Sequence, residues 1–89
     1  MKTILFYWSK GADTRRSIVR LMAGCGRKGR PCYLNTLAKK LKLSHVAVKK
    51  HVGLLLDEGY VKIMNPGGKP AFLELTEKGQ VVFREISGD

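Results

Sequence analysis

Acidic side chains are nearly absent from the first 56 residues, which hold one, Asp13, against thirteen Lys and Arg. Chemistry that needs two carboxylates facing one substrate has nothing to draw on there. No Ser-His-Asp set or phosphate-cradling glycine loop takes its place, so the chain reads as a non-enzyme. Cysteine and histidine are scarce too, with two of each. His45 and His51 are six apart on one candidate helix, about 240° round from each other, and cannot face one ion together. No Cys-x-x-Cys or His-x-x-x-His pair exists, so the expectation is no metal site and no cofactor. Long apolar runs are missing as well: none approaches the ~18 residues of a membrane span. Met1-Lys2-Thr3 followed by Ile4-Leu5-Phe6-Tyr7-Trp8 superficially suggests a signal peptide. The apolar stretch is too short for one and no small-residue cleavage site follows, which points to a cytoplasmic protein. There are no internal repeats and no low-complexity segment.

What is present is positive charge. Eighty-nine residues allow one domain with one modest core, and their net charge is +10. The excess is uneven: residues 1 to 56 carry +12, and residues 57 to 89, with four bases and six acids, carry −2. Such an excess points to a polyanion, nucleic acid first and an anionic membrane surface second. A merely solvated surface explains scattered lysines and explains a block with one acid poorly.

The charge surrounds residues 34 to 59. Asn35 can cap a helix whose apolar positions Leu37, Ala38 and Leu41 fall at i, i+1 and i+4. Lys42-Leu43 is a turn. Ser44 then caps a longer helix ending near Glu58, with Gly59 just beyond it. Val48, Val52 and Leu55 form one buried stripe, and Val46, Lys49, Lys50 and Gly53 point the other way. Leu54 also faces outward, to be covered by the N-terminal segment or a second chain. A short capped helix, a tight turn and a helix with outward lysines make a helix-turn-helix, whose second helix enters the DNA major groove.

Leu37-Ala38-Lys39-Lys40-Leu41, Leu43-Ser44, Val48 with Lys49-Lys50-His51-Val52, Leu55 and Glu58-Gly59-Tyr60-Val61 stand in an order that resembles the winged helix-turn-helix regulators of the MarR and ArsR kind. The resemblance continues through Gly67-Gly68-Lys69-Pro70 to Leu73-Glu74-Leu75-Thr76-Glu77-Lys78-Gly79 and covers about residues 13 to 86. It implies an α+β winged helix-turn-helix fold: a three-helix core, a two-stranded wing and a C-terminal helix. It also implies that the wing touches phosphates or the minor groove. The Cys-x-Cys metal box of many ArsR-type sensors is absent, so metal sensing is not carried over.

The other segments fit this frame. Residues 1–12 form an N-terminal aromatic segment, and residues 13–89 the winged-helix domain. Phe6, Tyr7 and Trp8 either fold against their own domain or make a dimer contact. Asp13 or Thr14 can cap a first helix running to about Ala23, with Ile18, Leu21, Met22 and Cys25 on its buried face. Arg15, Arg16 and Arg20 then lie on a solvated face, with phosphate contact as the alternative. The basic loop Arg27, Lys28 and Arg30 is read as solvated, with DNA backbone contact as the alternative. Cys32-Tyr33-Leu34 can form a short strand. Residues 60 to 64 and 71 to 75 are wing strands about a Pro/Gly turn. Val61 and Ile63 share one face of the first strand and Lys62 takes the other. Thr76 caps a last helix of about 77 to 86, in which Gly79 costs ~1 kcal/mol relative to Ala. Val81, Val82, Phe83 and Ile86 are its apolar residues.

Cys25 and Cys32 flank the basic loop, seven positions apart. They are either small buried hydrophobes or a disulfide or redox pair. His45 can donate to a base or a phosphate, whereas His51 suits a hydrogen-bonded structural position. The function this reading expects is a sequence-specific double-stranded DNA-binding transcriptional regulator, acting as a homodimer. Ser44, His45, Val46, Lys49 and Lys50 meet the major groove. Asn35, Thr36, Lys39 and Lys40 meet the backbone from the first helix of the motif, and Lys62 and Lys69 from the wing. The alternative is a winged helix serving as a protein-interaction module in a transcription or RNA-processing assembly.

Overall fold

In the computed structural model, residues 4–7, 9–30 and 32–87 are described. Five helices and one hairpin follow in order: α1 Ile4–Tyr7, α2 Ala12–Arg27, α3 Leu34–Leu41, α4 His45–Asp57, β1 Val61–Ile63, β2 Leu73–Leu75 and α5 Glu77–Ser87. This is the α+β winged helix-turn-helix. The strands are antiparallel, with Val61 opposite Leu75, Lys62 opposite Glu74 and Ile63 opposite Leu73.

Helix α2 is the spine. Its buried stripe is Arg15, Ile18, Val19, Met22 and Ala23, a spacing of i, i+3, i+4, i+7 and i+8. The stripe is rotated from the expected one, so Leu21 and Cys25 only flank the core. The helix also starts earlier and ends later than expected. Its N-cap is Gly11 at φ 86°, a left-handed backbone open to glycine, while Asp13 sits in the first turn and pairs with Arg16. Gly24 and Gly26 both lie inside it. The left-handed residue that ends the run is Gly29, at φ 67°.

Two further expectations are corrected here. Asn35 does not cap α3: Tyr33 is the N-cap, in extended backbone, and its carbonyl accepts from the Leu37 N–H at 3.1 Å. Cys32-Tyr33-Leu34 is not a strand. Cys32 makes one isolated bridge, its carbonyl accepting from the Leu73 N–H at 2.8 Å, and Leu34 already belongs to the helix.

The core joins Ile18, Val19 and Met22 to Leu37 of α3, Val48, Val52 and Leu55 of α4, Leu73 and Leu75 of β2 and Val82 of α5. Phe6 enters it too, at 1% exposure, its ring edge-on to Tyr60 at 5.1 Å. That aromatic therefore folds against its own domain; Trp8 lies outside the described residues. Thr76 caps α5 as expected, accepting from the Gly79 N–H at 3.1 Å, and its hydroxyl donates to the Gly59 carbonyl at 2.6 Å. Gly79 is required by a close approach, because a β-carbon there would run into the Tyr60 carbonyl.

Candidate nucleic-acid interface

Ser44 sets the start of α4. Its backbone is extended and its hydroxyl oxygen accepts from the Ala47 N–H at 3.1 Å, satisfying one of the free donors of the first turn. The turn before it depends on Lys42, which takes a left-handed conformation at φ 56°. That bend lets the Leu43 N–H reach back to the Ala38 carbonyl at 3.1 Å and closes α3 onto α4. Val48, Val52 and Leu55 are buried against α3 and the spine, which fixes the opposite face of α4 outward. His45, Val46, Lys49 and Lys50 are all exposed there, Val46 at 78%. The next acid along the chain after Asp13 is Asp57, at the far end of the helix. Gly59, at φ 81°, ends α4 as expected.

The candidates on α3 divide between two sides. Asn35 and Lys39 are exposed, pointing away from the buried Leu37. Thr36 and Lys40, four apart, instead line a pocket of about 460 Å³ with Arg20, Lys28 and Arg30. On the wing, Lys62 and Lys69 are exposed, but Lys62 stands opposite Glu74 in register. Ile63 and Met64 are exposed as well, so Ile63 does not share the buried face of Val61. The wing turn is organised by Asn65, whose side-chain oxygen accepts from the Phe72 N–H at 2.6 Å and whose amide donates to the Pro70 carbonyl at 3.2 Å.

Behind α4, His51 holds the position assigned to it, and its partner is a correction. Arg15 was placed on a solvated face, yet it is 3% exposed. Its guanidinium donates to Ser9 Oγ at 2.6 Å and to the Lys10 carbonyl at 3.0 Å, and meets His51 Nδ1 at 3.0 Å. Burial lowers the Arg15 pKa. The His51 pKa is also lowered, first by burial and then by the positive charges of Arg15 and Lys50. A neutral ring keeps Nδ1 available to accept from Arg15. Arg16 likewise turns inward, donating to the Phe6 carbonyl and lying 5.2 Å from the Tyr7 ring. Leu54, 37% exposed, borders a hollow of about 690 Å³ with Ser9, Lys10 and Lys50. Sequence reasoning missed Lys78, which donates to the Glu58 carbonyl at 2.7 Å and lies 4.4 Å over the Tyr60 ring. Among the described residues no three His, Cys, Asp or Glu side chains gather as a metal site. None of the described helices is long and apolar enough to cross a membrane.

No family model and no curated protein matches the chain. Solved structures do share its fold. ZitR of Lactococcus lactis, wild type in complex with DNA, is 25% identical over 91% of this chain and 53% of that one, with a TM-score of 0.72. FabT of Streptococcus pneumoniae, also in complex with DNA, is 17% identical over 96% of this chain and 60% of that one, with a TM-score of 0.72. AF1382 of Archaeoglobus fulgidus is 19% identical over 97% of this chain and 91% of that one, with a TM-score of 0.79. The chain spans about half the length of the ZitR chains it matches.

Proposed function

We propose that the chain is a sequence-specific double-stranded DNA-binding transcriptional regulator, not an enzyme. In this reading Ser44 and α4 enter the major groove, and the hairpin over residues 60–75 lies on the backbone or in the minor groove. The observation that carries the proposal is the outward face of α4. An apolar side chain, Val46, stands at 78% exposure in its first turn, beside His45 and two lysines. Isolated in water, a valine there gains nothing; against a thymine methyl it reads a base. His45 suits a base edge, while Lys49, Lys50, Lys39 and Asn35 suit phosphates. ZitR, which shares this fold and was solved in complex with DNA, supports DNA binding by this chain. A protein-interaction module would leave the cations of α3 and α4 without a role.

Two copies acting together belong to the proposal, since two-fold symmetry matches paired half-sites. Val81 of α5, exposed at 45%, is the apolar side chain that supports a contact there.

A mobility shift tests the reading. The probe is a duplex from upstream of the chain's own gene, with random duplex in excess. The shifted complex should survive competitor and vanish with unlabelled probe. Equal loss to both competitors, or no shift at low salt, contradicts sequence-specific binding.

A further inference from the structure

Two thiols sit where a basic pocket meets the core. Cys25 lies near the end of α2 and is half-buried, and Cys32 is buried in its bridge to Leu73. Both cysteines are free and line one small cavity together. Burial pushes the Cys32 thiol up to about 12, and Cys25 beside it adds to the rise. A thiolate is the attacking species in thiol chemistry, so Cys32 is a poor first nucleophile. Cys25 is the sulfur that can be reached. It lines the 460 Å³ pocket between α2 and α3, whose charged side chains are Arg20, Lys28, Arg30 and Lys40, with no acid among the lining. A smaller cavity of about 190 Å³ is lined by Cys25 and Cys32 with Arg30 and one acid, Glu74, so the anion-binding charge lies in the larger pocket. A molecule held by the cations would meet Cys25 first, with the more deeply buried Cys32 next to it in the smaller cavity.

We propose that Cys25 and Cys32 form a thiol–disulfide exchange site for a small anionic disulfide. The Cys25 thiolate attacks one sulfur of the incoming disulfide. A bond forms between them, the original S–S bond breaks, and one half leaves as a thiolate that takes up a proton. Cys32 sulfur then attacks Cys25 sulfur and displaces the second half, which leaves with the Cys32 proton. Two protein thiols are oxidised to one disulfide, and the small disulfide is reduced to two thiols. The cations recognise the carboxylates of the reagent, and Cys32 resolves the mixed disulfide. The product ties the end of α2 to the residue just before the Tyr33 cap of α3, and through Leu73 to the wing. This assignment is independent of the DNA-binding reading.

The test uses the reduced full chain and three disulfides of graded charge: glutathione disulfide, neutral 2-hydroxyethyl disulfide and cationic cystamine. Acid-quenched samples are followed by mass spectrometry. Glutathione disulfide should give a monomer two hydrogens lighter, faster than the neutral reagent by about three-fold or more at low ionic strength. Cystamine should be slowest. Lys28→Ala with Arg30→Ala should compress that order without abolishing the reaction. Cys32→Ser should stop at one glutathionyl adduct, and Cys25→Ser should leave Cys32 unmodified in the folded chain. Equal rates for the three reagents would overturn the anionic pocket. A persistent adduct on the unaltered chain, a disulfide-linked dimer, or ready modification of Cys32 in Cys25→Ser would overturn the roles of the two sulfurs.

Discussion

Arg15 and His51 lock the N-terminal turn to the back of α4. The buried guanidinium donates to Ser9 Oγ and the Lys10 carbonyl and meets His51 Nδ1, and removing it takes these buried contacts away together. Arg15→Ala should therefore lower unfolding free energy by about 2–3 kcal/mol, measured by urea titration. His51 adds a pH dependence. Its folded pKa lies below the ordinary 6.5, so the unfolded chain binds its proton first. The contribution of the neutral ring is complete above 6.5 and is lost as pH falls through the lowered folded value. His51→Gln, whose amide oxygen can still accept from Arg15, should flatten that part of the stability profile. An unchanged slope in His51→Gln would assign the slope elsewhere. The structural place of His51 was legible, because it falls on the flank of the Val48–Val52–Leu55 stripe. Arg15 was not. Hydrophobic periodicity gives an arginine no weight toward the core, and the acceptors that make its burial tolerable come from Ser9 and from α4, brought close only by folding.

At the scale of elements, helix ends were legible where a side chain or a glycine carries the signal locally. Ser44, Gly59 and Thr76 act as their types suggest. Asn35 and Asp13 have the same chemistry two residues too late, because Tyr33 and Gly11 already supply the backbone geometry. Lys42 was legible only as a turn, and its left-handed backbone carries strain that glycine would relieve. Lys42→Gly should raise stability by about 0.5–1 kcal/mol in a thermal melt, while Lys42→Val should lower it. Gly79 argues the other way. Helix propensity alone predicts that Gly79→Ala stabilises α5 by ~1 kcal/mol. The Tyr60 carbonyl at that spot reverses the sign, and a loss of about 1–3 kcal/mol is expected. A higher melting temperature for Gly79→Ala would show that α5 can shift away from the Tyr60 carbonyl.

Across the whole molecule, the winged helix was legible because its pieces stand in a fixed order, and the uneven charge was legible from counting. The division of that charge was not. Arg15 and Arg16 turn inward, Arg20 and Lys40 border the thiol pocket, and Lys39, Lys49 and Lys50 remain on the outer face of the motif. A test for a dimer must leave the core intact. Removing residues 1 to 9 would take Phe6 out of the core, so loss of pairing could not be told from loss of fold. Val81→Asp touches an exposed position instead. If two copies meet on α5 over at least ~1,000 Å², light scattering at tens of micromolar should show a dimer that this substitution converts to a monomer. The unaltered chain running as a monomer would remove pairing from the account.

The most direct measurement is the salt dependence of DNA affinity in the chain and in Lys49→Ala/Lys50→Ala, followed by fluorescence anisotropy. Neither lysine is buried, so circular dichroism should be unchanged. Affinity should fall at least about ten-fold near physiological salt, and the slope of log K against log salt should drop by about two units, one per phosphate contact. A folded double variant with the same affinity and slope would contradict the claim that the outer face of α4 holds DNA.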